Sequence, residues 1–148
     1  MAQNLTPRLK AAASLVRGGG ILADIGTDHG YLPIYLVEMG KISKAIAADI
    51  GKMPLENARK SVELNGLSDK ISLRLSDGLR SFSPDEADEF VFAGMGGTLI
   101  AEKLAKTDWI KNEKYHFNNR RKRDPRQWGL YLLSDIRRCI RTRFLCYP

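Results

Sequence analysis

Two short strand-like runs, Ile21-Leu22-Ala23-Asp24-Ile25 and Lys44-Ala45-Ile46-Ala47-Ala48-Asp49-Ile50, each carry an acid near their end and give way to a turn and a helical pattern. A strand that is apolar on both faces must be covered on both faces, and a helix after each strand supplies that cover. The cadence continues. Pro54 opens a helical stretch with Leu55, Ala58 and Val62 on one face, Asn65-Gly66 closes it, and Ile71–Leu75 and Glu89–Ala93 read as third and fourth strands. Strand and helix alternating at this interval predict an α/β fold with a mostly parallel Rossmann-like sheet and right-handed crossovers. Ligands of such sheets bind beyond the carboxyl ends of the strands.

The flanking text agrees. Thr6-Pro7 starts a helix, with Leu9, Ala12, Ala13 and Val16 on one face and Gly18-Gly19-Gly20 as its stop. A helix runs from about Tyr31 to Met39 and ends at Gly40, and another follows Gly94–Gly97 to about Lys106. At 148 residues the chain is long enough for one domain with a real core. No apolar run reaches the roughly 18 to 20 residues of a membrane span. The opening Met1–Arg8 has no apolar stretch behind a basic start, so a cytoplasmic location is expected. Cys139 and Cys146 have no partners at metal-ligand spacing, so neither a disulfide framework nor a metal site is indicated.

The net charge of +7 is unevenly placed. Residues 1–110 hold 13 Lys and Arg against 14 Asp and Glu, whereas residues 111–148 hold 11 against 3. The basic character belongs to the tail, and the part that folds as a sheet is close to neutral.

Acids decide the chemistry of the sheet edge. Asp24 lies at the end of the first strand, Asp28 in the turn after it, Asp49 at the end of the second strand and Asp77 just after the third. A dinucleotide would place a pyrophosphate over the first turn, where Asp28 repels it, and Gly26-x-x-x-Gly30 departs from the G-x-G-x-x-G spacing. S-adenosyl-L-methionine has no phosphate and carries an ammonium and a sulfonium, so carboxylates at the turn suit it. Gly26 and Gly30 shape the turn. Asp49 falls at the interval where an acid accepts ribose hydroxyls, and Asp77 and Gly78 are placed to meet the adenine. Singly each acid could be a cap or a turn residue; in register with three strand ends they form a binding edge.

His29, beside the methyl donor, either orients a base or handles a proton, or it is a partly exposed hydrogen-bonding residue. Tyr31 either packs the first helix or stacks a target base at the pocket mouth. Gly94-Met95-Gly96-Gly97 lacks the acid or amide, prolines and aromatic expected of a site for exocyclic amines. Its glycines let the backbone approach a flat target, which favours a ring nitrogen as nucleophile, although a plain flexible turn has the same composition.

The runs Ile21-Leu22-Ala23-Asp24-Ile25-Gly26-Thr27-Asp28-His29-Gly30-Tyr31-Leu32-Pro33, Ala48-Asp49, Ser76-Asp77-Gly78-Leu79 and Ala93-Gly94-Met95-Gly96-Gly97 closely resemble the bacterial tRNA (adenine-22-N1)-methyltransferases. Leu5-Thr6-Pro7-Arg8-Leu9 fits too, and the likeness covers about residues 5–113. The resemblance implies a tRNA partner and transfer of a methyl group from S-adenosyl-L-methionine to N1 of an adenine. It implies that Asp24, Gly26, Gly30, Asp49, Asp77 and Gly78 bind the cofactor. Asp28, His29 and Tyr31 are then the catalytic residues, and Gly94, Met95, Gly96 and Gly97 border the substrate base.

The organisation expected is therefore a cofactor-binding core at 1–113 and a basic tail at 114–148 that departs from the family, with the sheet incomplete after its fourth strand. Where a fifth apolar strand is due, the text is Lys114-Tyr115-His116-Phe117-Asn118-Asn119-Arg120-Arg121-Lys122-Arg123. Either this is a genuine tRNA-binding tail or the reading frame shifts near residue 115, since one frame of His-Phe-Asn-Asn codons permits an isoleucine-rich strand. The second is preferred, and it would make the chain an inactive fragment. Two rival functions remain at this point: a nicotinamide-dependent oxidoreductase, and a non-enzymatic nucleic-acid-binding module working through the tail.

Overall fold

The computed structural model describes residues 5–111 and, as backbone alone, three strands at 115–120, 130–135 and 143–147. The elements follow in the order α1 (Pro7–Leu15), β1 (Ile21–Ile25), α2 (Tyr31–Glu38), β2 (Lys44–Asp49), α3 (Lys52–Leu64), β3 (Ile71–Leu75), β4 (Glu89–Ala93) and α4 (Gly97–Ala105). A short 3-10 helix at Asp108–Lys111 precedes β5 (Tyr115–Arg120), β6 (Leu130–Asp135) and β7 (Arg143–Tyr147). Strands one, three and four have the bounds expected from sequence. The third helix begins two residues before Pro54, which occupies its first turn, where a missing amide costs nothing.

The first four strands pair in parallel in the order β3-β2-β1-β4, with Leu22 opposite Ala45 and Glu89. Chain order reverses between β1 and β4, and this is the topological switch at which open α/β sheets bind ligands. Against the expectation of a sheet incomplete after its fourth strand, the backbone ladder continues beyond β4. The backbone of β7 pairs with β4 in parallel, and β6 and β5 follow in antiparallel register. An edge strand offers free amides and carbonyls, and a neighbour can satisfy them whatever its side chains, so a tail without an apolar strand pattern still joins the ladder. Trp128, Cys139 and the arginines at 137, 138 and 141 lie outside the described residues.

Alternate residues of each central strand enter opposite layers. Leu22, Ala45, Ala47 and Val91 pack with Leu32, Ile34 and Leu36 of α2 and with Ala12 and Ala13 of α1. Ala23, Ile25, Phe90 and Phe92 pack on the other face with Leu79, Phe82, Ile100 and Leu104. Phe90 contacts Phe82 edge-on at 5.8 Å between centroids and Trp109 at 5.7 Å. This two-sided burial explains why these strands are nearly continuous apolar runs. Helix α1 begins where Thr6 Oγ1 accepts from the Leu9 amide, and Lys41 Nζ donates to the Ala13 carbonyl near its far end. Among the described residues no helix is long and apolar enough to cross a membrane.

Candidate functional site

A cleft of about 380 Å³ opens at the carboxyl ends of β1, β2 and β4. Its floor is the turn after β1, where Gly26 takes a left-handed φ of 81° and its amide donates to the Ala48 carbonyl. A side chain at Gly26 would meet the Met95 Cε at 2.6 Å, so the loop after β4 closes directly on this turn. Asp28 is also left-handed, at φ 54°, the one described residue other than glycine to be so. Such a conformation is held by its surroundings, and the Asp28 amide donates to Asp49 Oδ2 at 3.4 Å.

Asp24 and Asp49 face the same cleft from neighbouring strands. Asp49 Oδ1 accepts from the Gly51 amide at 2.9 Å, which fixes the carboxylate at the start of α3. Asp24 is 2% exposed, and its Oδ2 accepts from the Thr27 hydroxyl at 2.7 Å. Its Oδ1 is buried without a hydrogen-bond donor. Burial pushes the Asp24 carboxyl up to about 7; the Thr27 bond opposes this and the nearby Asp49 charge adds to it. A buried acceptor left open in this way is costly unless something donates to it.

The mouth is aromatic and more open. His29 and Tyr31 stack at 5.0 Å with 13° between planes, and His29 Nε2 lies 3.7 Å from Asp28 Oδ2. Both residues line the cleft together with Leu32 and Pro54. On the opposite wall stand Ala93, Gly94 and Met95 and, from the first turn of α1, Arg8 and Leu9.

The structure thus gathers Asp24, Gly26, Asp28, His29, Tyr31, Asp49, Gly94 and Met95 around one space. Gly30, Asp77, Gly78 and Gly96 are not among the described residues lining it. Gly30 is the left-handed N-cap of α2, Gly96 the N-cap of α4 and Gly97 its first residue. Asp77 and Gly78 follow β3 at the same sheet edge, beside the Ser76 amide that donates to the Asp49 carbonyl. They are covered: Lys103 of α4 pairs with the Asp77 carboxylate through its ammonium group, and its Cβ lies 2.9 Å from where a Gly78 side chain would start. The Lys103 hydrogen bond holds the Asp77 carboxyl below the usual carboxylate range.

Arg8, Thr27 and Lys103 were missed in the sequence. Thr27 stands three residues after Asp24, a spacing at which a hydroxyl can return to a carboxylate across a turn. Arg8 and Lys103 offered no such sign, because only the packing of α1 and α4 brings them to the edge.

Residues 5–120 match the family model described as a methyltransferase domain. The chain is 46% identical over 100 residues to the tRNA (adenine(22)-N(1))-methyltransferase of Bacillus subtilis, which covers 68% of this chain and 42% of the relative. The chain therefore spans less than half the length of that relative. The crystal structure of the B. subtilis M1A22 tRNA methyltransferase TrmK is 32% identical with a TM-score of 0.73, over 89% of this chain and 66% of that one. A candidate tRNA (m1A22) methyltransferase of Streptococcus pneumoniae in complex with S-adenosyl-L-methionine is 32% identical with a TM-score of 0.69, over 88% of this chain and 73% of that one.

Proposed function

The chain belongs to the methyltransferase-domain family, among the tRNA (adenine-22-N1)-methyltransferases, and from that premise we propose that it transfers a methyl group from S-adenosyl-L-methionine to N1 of an adenine in tRNA. The observation that carries this reading is the open Oδ1 of buried Asp24 in a cleft that Asp28 and Asp49 also line. A cationic donor answers that acceptor, and Asp28 stands at the turn over which a pyrophosphate would have to lie. The nicotinamide alternative is disfavoured for the same reason.

In this reading Asp24 and Asp49 hold the cofactor, Asp24 toward its ammonium end and Asp49 at its ribose. Gly26 keeps a side chain out of the turn beneath it, and Gly30 shapes that turn as the left-handed N-cap of α2. Asp77 and Gly78 serve the adenine once Lys103 moves aside. When bound, S-adenosyl-L-methionine supplies a methyl group activated by its sulfonium.

The protein's remaining task is alignment. N1 of a neutral adenine has a lone pair and no proton to lose, so no general base is needed for the attack. The Gly94–Gly97 loop admits the flat base edge-on, while the stacked pair of His29 and Tyr31 offers an aromatic surface at the mouth. Methylation leaves the base cationic, and Asp28, beside His29, lies where a carboxylate favours that charge. The base is extruded from the folded tRNA to reach the cleft. We take residues 1–113 as the cofactor-binding core and 114–148 as the basic tail, whose strands β5 to β7 extend the same sheet, and the chain acts in the cytoplasm.

Calorimetric titration with S-adenosylhomocysteine and with NAD tests the cofactor, and methyl incorporation into unmodified tRNA tests the reaction. Binding of the first ligand with N1-methyladenosine formed is the expected result. Binding of NAD alone would transfer the site to redox chemistry. The gene sequence tests the tail: an apolar strand encoded in the alternative frame near residue 115 marks it as out of frame.

A further inference from the structure

We infer that Arg8 is the anion-binding residue of the cleft, holding either the carboxylate of the cofactor's amino-acid end or a phosphate of the RNA nucleotide whose base enters. Among the described residues lining the cleft, every other ionisable group is an acid, save His29, so the space set by Asp24, Asp28 and Asp49 attracts cations and repels anions. Yet both ligands of the proposed reaction bring an anion to it. Among the described residues Arg8 is the only Lys or Arg lining the cleft, and it has no hydrogen-bond or ion-pair partner there.

Its position is built by the fold. Thr6 caps α1 and Pro7 fixes its first turn, which sets Arg8 facing the loop after β4. The Arg8 Nη2 atom lies 3.7 Å from where a side chain on Gly94 would begin, so the guanidinium spans the rim between α1 and β4. With Gly94 at φ 94° and no side chain there, the guanidinium's donors are left open to the cleft. A guanidinium offers paired donors that match the oxygens of a carboxylate or phosphate.

The inference rests on the methyltransferase reading, and one set of measurements separates the two. S-adenosylhomocysteine affinity is measured by calorimetry and tRNA affinity by filter binding over a salt series, for the full chain and for Arg8→Ala and Arg8→Lys. Arg8 is exposed, so both variants should melt like the parent. If the carboxylate is its ligand, Arg8→Ala weakens S-adenosylhomocysteine about tenfold or more. If a phosphate is its ligand, S-adenosylhomocysteine affinity is unchanged, tRNA binding weakens, and the salt slope falls by about one. Arg8→Lys recovers part of either loss. An Arg8→Ala chain with parental affinity for both ligands and an unchanged slope overturns the inference alone. A parent chain that binds no S-adenosylhomocysteine overturns the cofactor reading with it.

Discussion

Lys103 of α4 is paired with Asp77 after β3, and its side chain lies across Gly78, so two residues read from sequence as an adenine subsite are covered by a lysine. A ligand that needs the Asp77 carboxylate must displace or share this partner. Lys103→Met keeps the apolar stem over Gly78 and removes the charge. Because the pair is part-exposed, its contribution is at most about 1 kcal/mol, and removing it should tighten S-adenosylhomocysteine by no more than about fivefold. Calorimetry on the variant reads this directly, and weaker binding would mean that Lys103 assists the ligand.

With Asp24 at the proposed cofactor site, fold stability and cofactor affinity should respond to pH in opposite directions. Its carboxyl titrates at about 7 in the folded chain against an ordinary 3.8, so the folded state binds the proton more tightly. Stability from this group is therefore complete below the ordinary value and is lost as pH rises through about 7, by at most about 4 kcal/mol. Asp24→Asn should raise the melting temperature at about pH 8 and change it little at about pH 3. A cationic ligand, by contrast, needs the ionised form, so affinity should fall about tenfold per unit below about pH 7. A pH-independent affinity in the parent would remove Asp24 from the cofactor's amino-acid end.

Asp49 is fixed by two backbone amides, those of Gly51 and Asp28, and is thereby prepared to accept hydroxyls without rearranging. Asp49→Ala should weaken S-adenosylhomocysteine by at least about tenfold, since hydrogen bonds to a charged acceptor contribute about 1.5–3 kcal/mol. Competition with adenosine, which retains the ribose, should weaken in step. If adenosine binds the variant as it binds the parent, the ribose lies elsewhere.

Much of this was legible from local chemistry. The strands β1 to β4 are recognisable because a strand covered on both faces must be apolar throughout, and Asp24 and Asp49 stand out because acids at such strand ends are costly without a purpose. Asp77 illustrates the limit. Its place after β3 follows from strand register, but whether it is free depends on Lys103, which arrives on α4 from 26 residues away. Arg8 is hidden for the same reason, since no spacing in the sequence tells where α1 packs. The strand at β7 escaped because pairing to the open edge of β4 draws on backbone groups, and composition carries no trace of those.

Gly30 shows how a binding residue and a folding residue can be told apart. It is the N-cap of α2 with φ at 71°, and a side chain there would meet Ala58 Cβ at 3.5 Å, an ordinary contact. Space is therefore available, and what Gly30→Ala loses is conformational: a left-handed residue with a Cβ costs about 1–2 kcal/mol. Asparagine tolerates this region better, so Gly30→Asn should recover much of the loss. Urea unfolding should report a lower midpoint for the alanine variant at an unchanged slope, with the asparagine variant between it and the parent. S-adenosylhomocysteine affinity separates the roles. If Gly30 serves by shaping the turn, the asparagine variant binds nearly as the parent does. If the cofactor lies directly against it, both variants lose affinity whatever their stability, because any side chain occupies that approach.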